Sequence, residues 1–229
     1  MTQSLSLLAA RLRDIYRAPQ SVYAAVRENG GEWYDWVVPT LLAAAFWASY
    51  NWGLIGDPQD LTNWDTLSEE ERQQASDALV LWRSHVWFSL PLTNSFASLS
   101  AGALVLVPLV RWILRREVTL RQMLAVKGYA AMLTIPRRLL LAVFHRLGAE
   151  NVAFGPAAFL NPADREDVVG QILVGLDFFD LWQAVVMGVG LAVMSGRSPR
   201  AGIAMSIVLW LLWIILGSMT SALPTAPPV

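Results

Sequence analysis

The chain has 229 residues, 55% of them hydrophobic and 15% charged, with a mean hydropathy of +0.43. That balance excludes an ordinary soluble globule and predicts an all-α, polytopic membrane protein. A net charge of −1, no cysteine and no basic patch interleaved with aromatics exclude disulfides, thiolate metal sites and a nucleic-acid surface.

Leu5, Leu8, Leu12 and Ile15 recur at helical steps, with Arg11, Arg13 and Arg17 between or after them. This is an amphipathic helix, suited to the cytoplasmic interface of a membrane or to the end of a helix bundle. Pro19 opens a second short helix with Val22, Tyr23 and Val26 apolar, and Asn29-Gly30-Gly31 closes it. Residues 1–31 therefore read as an N-terminal cytoplasmic region and residues 32–229 as a membrane domain.

A first span is expected from about Trp36 to Ile55, with Trp33, Tyr34 and Trp36 as an aromatic belt. The acidic segment Asp57 to Val86 follows, with a capping box at Ser68-Glu69-Glu70-Glu71. A second span, about Phe88 to Ile113, is rich in Ser, Ala and Gly, as packing faces in membranes are.

The third span, Leu120 to Arg146, carries Lys127, Gly128, Tyr129, Pro136, Arg137 and Arg138. Of the 17 Lys and Arg in the chain, Lys127 is the one lysine. Ionisable groups at membrane depth usually face the interior of a bundle and mark function. In one unbroken helix Lys127 and Arg138 share a face, ~16 Å apart along the axis. A second external segment, His145 to Val174, leads to a fourth span from about Leu176 to Met194, with Asp177 and Asp180 at its start. Ala184, Gly188, Ala192 and Gly196 recur there at every fourth position, a stripe that lets helix backbones approach. A fifth span covers about Ala201 to Thr220 after the turn Gly196-Arg197-Ser198-Pro199-Arg200.

Orientation follows from the arginines. One side of this topology holds Arg11, Arg13, Arg17, Arg27, Arg111, Arg115, Arg116, Arg121, Arg197 and Arg200. The other holds only Arg72, Arg83, Arg146 and Arg165. Five spans result, with the N-terminus cytoplasmic and the C-terminus extracytoplasmic. The preference for Arg over Lys points to GC-rich coding, and so to a bacterial inner membrane.

Several phrases resemble the YIP family, the Ypt/Rab-GTPase-interacting membrane proteins. They are Arg17-Ala18-Pro19 with Tyr23, Glu32-Trp33 leading to Pro39, and Thr119-Leu120-Arg121-Gln122 with Gly128-Tyr129 and Pro136. Asp177-x-Phe179-x-x-Trp182 with Gly188-x-Gly190-Leu191 completes the set. The resemblance implies a Yip-type domain of five spans and no settled activity. The expected function is a non-enzymatic scaffold or partner-binding module. Its partners would be the lipid bilayer and a membrane or cytoplasmic protein at the N-terminal helix and the loop 111–121, with a homo-oligomer possible.

The competing reading is a transporter for a small solute, an ion or a lipid headgroup. It rests on the polar cluster Lys127, Tyr129, Arg137, Arg138, Asp177 and Asp180. Within it, Arg137 or Arg138 is expected to pair with Asp180 or with Asp177; Arg138 is taken as the inward one, with Arg137 beside it or snorkelling outward. An intramembrane hydrolase is the remote reading: Val193-Met194-Ser195-Gly196 falls one residue short of the G-x-S-G phrase of rhomboid proteases, and no span holds a histidine base. His85 and His145 are weak metal candidates without ligand spacing, so no metal and no cofactor are expected.

Overall fold

Apolar periodicity and caps decide where the helices form. The computed structural model describes residues 2–54, 66–149, 152–165 and 167–221, and among them every regular element is helical. Helix α1 covers Thr2–Asp14, and α2 covers Pro19–Glu28, opened by a proline whose missing N–H is harmless in a first turn. Helix α3 covers Tyr34–Leu54. Helix α4 runs from Glu69 to Leu109, and a π-helical turn, Val110–Leu114, extends it to Arg115. The box at Ser68 is formed: its hydroxyl accepts from the Glu71 N–H at 3.3 Å, and its N–H donates to the Glu71 carboxylate at 2.8 Å. The Ser68 backbone and hydroxyl donors hold the Glu71 carboxyl below its ordinary value.

Helices α5, Leu120–Ala131, and α6, Thr134–Arg146, follow. After two short 3₁₀ turns come α7, Val168–Gly175, α8, Phe178–Ser195, and α9, Pro199–Ser221. Among the described residues three stretches are long and apolar enough to cross a membrane: Ser89–Leu114, Phe178–Ser195 and Pro199–Met219.

The stretch expected as one span, Leu120 to Arg146, is broken at Met132-Leu133. Pro136 supplies the cause. In a continuous helix the Met132 carbonyl would receive the N–H of residue 136, which proline lacks, and the proline ring would clash with it. That carbonyl instead accepts the Ile135 N–H at 3.1 Å and the Tyr16 hydroxyl at 2.7 Å. Tyr16→Phe is therefore expected to cost about 0.5–1.5 kcal/mol, the net worth of one such bond. A thermal melt of the purified protein in detergent measures it, and an unchanged midpoint would show that the bond carries no stability.

Helix α5 is the centre of the core, with Met123, Ala125, Val126, Gly128, Tyr129 and Ala130 buried. Ile15 of the segment after α1 and Val22, Tyr23 and Val26 of α2 belong to the same hydrophobic cluster. The Tyr23 ring meets Tyr129 edge-on at 6.3 Å, and its hydroxyl donates to the Val126 carbonyl at 3.1 Å. The expected boundary near residue 31 thus does not separate two cores. The N-terminal helices close the bundle with their apolar face.

Helices α8 and α9 pack backbone to backbone. A Cβ on Gly188 would stand 2.5 Å from the Ile203 Cα, while Ala184 and Ala192 are buried on the same stripe. Gly196 differs from the other three. It is exposed and ends α8 with a left-handed φ of 63°, and the Arg197 N–H returns to the Ala192 carbonyl at 3.0 Å. It is a turn residue rather than a packing residue.

Several arginines at this end of the bundle cap chain carbonyls. Arg27 donates to the Val193 carbonyl at 3.0 Å, Arg197 to that of Leu114 at 3.0 Å, and Arg111 to that of Val118 at 3.1 Å. The Val193 carbonyl also accepts the Gly196 N–H at 3.2 Å, and both it and the Leu114 carbonyl lie in the last turn of a helix.

Candidate functional site

A groove of about 660 Å³ lies between α3, α4, α5, α6 and α8. Among the described residues its charged lining is Lys127 and Arg138, with no carboxylate. The lysine reaches it by crossing α4 at Gly102, where any Cβ would collide with the Lys127 side chain. Its ammonium donates to the Ser98 carbonyl at 2.8 Å and to the Ser98 hydroxyl at 3.2 Å. Two of its three N–H donors are thereby used. Arg138 comes from α6, on the other side of the break, and its guanidinium lies 4.8 Å from the Trp47 ring centroid. That separation is a cation–π contact. Thr40, Asn94, Ser95, Thr134 and Gln183 add neutral polar groups to the lining.

The six residues expected as one cluster divide among distinct settings. Lys127 and Arg138 share the groove. Arg137 forms an ion pair, with its Nε 3.2 Å from Asp177 Oδ2. The other Asp177 oxygen accepts the Phe179 N–H at 2.8 Å and caps α8. One carboxylate thus joins α6 to α8 and starts α8. The break bears on which way each arginine points. It resets the helical phase after Met132, so facing computed across eleven residues of one helix does not apply. Asp180 is half-buried, one turn into α8.

Tyr129 belongs to a third setting, one the sequence reading missed. Its hydroxyl donates to Asp35 Oδ1 at 2.8 Å, and Arg11 donates to the same oxygen at 2.7 Å. The Glu32 N–H reaches Asp35 Oδ2 at 3.2 Å. The Asp35 side chain is fully buried and that of Arg11 is 11% exposed. The carboxylate also sits in the first turn of α3, where a negative charge favours the helix. Two signals pointed here: Asp35 interrupts an aromatic belt, and Arg11 lies three residues after Leu8 and four before Ile15, on the apolar face. Gly128 completes the arrangement. A Cβ there would approach the Trp36 Cα at 3.1 Å, so the glycine lets α5 close on α3 and brings Tyr129 to Asp35.

The remaining candidates lie elsewhere. His145 is exposed at the end of α6, and the His85 side chain falls outside the described residues. Among the described residues no group of His, Cys, Asp and Glu could hold a metal ion. The buried Ser195 hydroxyl donates to the Leu191 carbonyl of its own helix at 2.7 Å. No protein-family model, curated protein or solved structure matches the chain.

Proposed function

We propose that the chain is a non-enzymatic, multi-pass protein of a bacterial cytoplasmic membrane that binds an anionic group in the groove of Lys127 and Arg138. The observation that carries this reading is a cavity with two cations and no carboxylate among its described lining residues. A cleft lined by charges of one sign focuses a field that attracts the opposite charge. That supports recognition of the transporter type.

Five crossings are part of the proposal. Helix α3 has 21 residues, about 31 Å at 1.5 Å per residue. The pair α5–α6 would cross as a broken span, and discontinuous helices at membrane depth typically line binding sites. The orientation is supported by the gathering of basic segments at one end: Arg27 reaches the end of α8, and Arg197 reaches the end of the π-turn after α4. The N-terminus would be cytoplasmic and the C-terminus extracytoplasmic.

The apolar face of the N-terminal helices is turned inward. Leu8, Ile15, Val22, Tyr23 and Val26 are buried against the chain's own bundle, so that apolar face is not offered to a partner. The loop 111–121 remains exposed, with Trp112 78% exposed among the arginines. Tryptophan beside basic residues suits a headgroup interface.

Titration with inorganic phosphate in neutral detergent tests the groove. A ligand held at a hundredfold excess over its Kd adds about 2.7 kcal/mol to stability. The melting midpoint of the wild type should rise by several degrees, and the Lys127→Gln, Arg138→Gln double variant should show no rise. A rise of equal size in the double variant would place the anion elsewhere.

A further inference from the structure

We infer that the groove takes an organic monocarboxylate, whose single charge meets Lys127 and whose apolar body fills the rest of the lining. This inference rests on the anion-binding reading of the groove and narrows it. The first observation is a balance of charges. Arg137 pairs with Asp177 at 3.2 Å, and Arg137 and Arg138 both act electrostatically on the Asp180 carboxyl. Two arginines of α6 thus face two carboxylates at the start of α8. Arg11 is likewise paired with Asp35. The Lys127 ammonium meets neutral oxygens, both of them on Ser98, and no carboxylate joins it in the described lining. One positive charge is left over in the groove, and one negative charge offsets it.

The donors are the second observation. Lys127 spends two N–H groups on the Ser98 carbonyl and hydroxyl, at 2.8 and 3.2 Å, which leaves its third N–H for a ligand. Asn94 of α4 and Gln183 of α8 bring side-chain amides to the same lining. A carboxylate has two acceptor oxygens, so it can accept from the ammonium and from an amide together.

The third observation is the remainder of the wall. Ala43, Trp47, Ala97, Leu99, Ala101 and Ala131 are apolar. A volume of about 660 Å³ suits a small organic molecule rather than a bare ion. A halide would answer the charge and leave the apolar wall unused. A dicarboxylate or a phosphate dianion would bring two charges to one open cation. An uncharged molecule would use the wall and leave Lys127 unanswered.

The experiment follows the melting midpoint of the full chain in neutral detergent against benzoate, phthalate, benzamide and inorganic phosphate. The first three share one ring and differ in charge. Benzoate should raise the midpoint, and phthalate and benzamide should bind at least tenfold more weakly. Lys127→Gln keeps a donor for Ser98 but removes the charge, and it should weaken benzoate tenfold or more. Arg121→Gln removes an exposed arginine that does not line the groove, and the benzoate response should stay as it is. Equal responses to benzoate and benzamide would overturn the inference, because the charge would then play no part. An undiminished benzoate response in Lys127→Gln would overturn it as well. A response to phthalate or inorganic phosphate as strong as that to benzoate would overturn the monocarboxylate and keep the anion site. Silence towards all four probes would overturn the inference and the anion-binding reading together. If Lys127→Gln does not fold, the ranking of the four probes on the wild type decides.

Discussion

Asp35→Asn is expected to destabilise the bundle by roughly 3–5 kcal/mol, the usual cost of removing one partner from a buried ion pair. The substitution keeps the shape but removes the charge that offsets Arg11. A guanidinium 11% exposed cannot regain its water without moving α1. The Tyr129 hydroxyl would also face a weaker acceptor, since bonds to an ionised group are about twice as strong as neutral ones. Arg11→Met should be costly for the same reason, because it leaves the carboxylate fully buried with Tyr129 and one backbone N–H. The double change Arg11→Met with Asp35→Leu should recover much of the loss, as apolar replacement of both partners is often neutral. Denaturation midpoints of the two single variants and the double measure the coupling. Strictly additive losses would remove the pair from the account of stability.

Gly188→Leu is the second large effect. Overpacking typically costs 1–3 kcal/mol, and here the obstruction is backbone rather than a flexible side chain. The first added carbon would meet the Ile203 Cα at 2.5 Å and the Gly202 carbonyl oxygen at 2.9 Å. Nothing can yield except helix α9 as a whole, so the cost should lie at or above the upper end of that range. Even Gly188→Ala should lower the midpoint. Gly217, on α9, serves as the control, because a Cβ there meets nothing within 4 Å. Gly217→Ala should leave the melt unchanged or raise it slightly, alanine being the better helix former. A melt unaffected by Gly188→Leu would show that α8 and α9 do not pack as described.

The helical class was legible because long apolar runs and caps are local signals. The Ser68 box needs only four residues, and the apolar stretch that became Ser89–Leu114 needs only its own composition. Proline at 136 also announced an irregularity, but a linear reading kept the span whole. The break is decided by which partner takes the Met132 carbonyl, and that partner, Tyr16, lies 116 residues away. The Asp35 carboxylate was missed for the same reason. Its partners Arg11 and Tyr129 are 24 and 94 residues distant, and no periodicity links them. Arg137 and Asp177 were both named as candidates, but the choice between neighbouring arginines depends on helical phase, which the break resets. Lys127 and Arg138 emerged together for a reason the spacing did not contain: two half-helices, each contributing one cation to the same groove.

The break between those half-helices also sets the terms on which the two ends of the molecule communicate. Lys127 stands on α5 before it and Arg138 on α6 after it, while the Tyr16 hydroxyl is fastened to the carbonyl at the joint. A ligand that spans the two cations fixes the angle at the joint, and so does a seated N-terminal arm. Equilibrium coupling is reciprocal by necessity. On the proposed ligand-binding reading, the factor by which the seated arm tightened the ligand would be the factor by which the ligand tightened the arm, so whatever drew α1 away would be felt as a change of affinity in the groove.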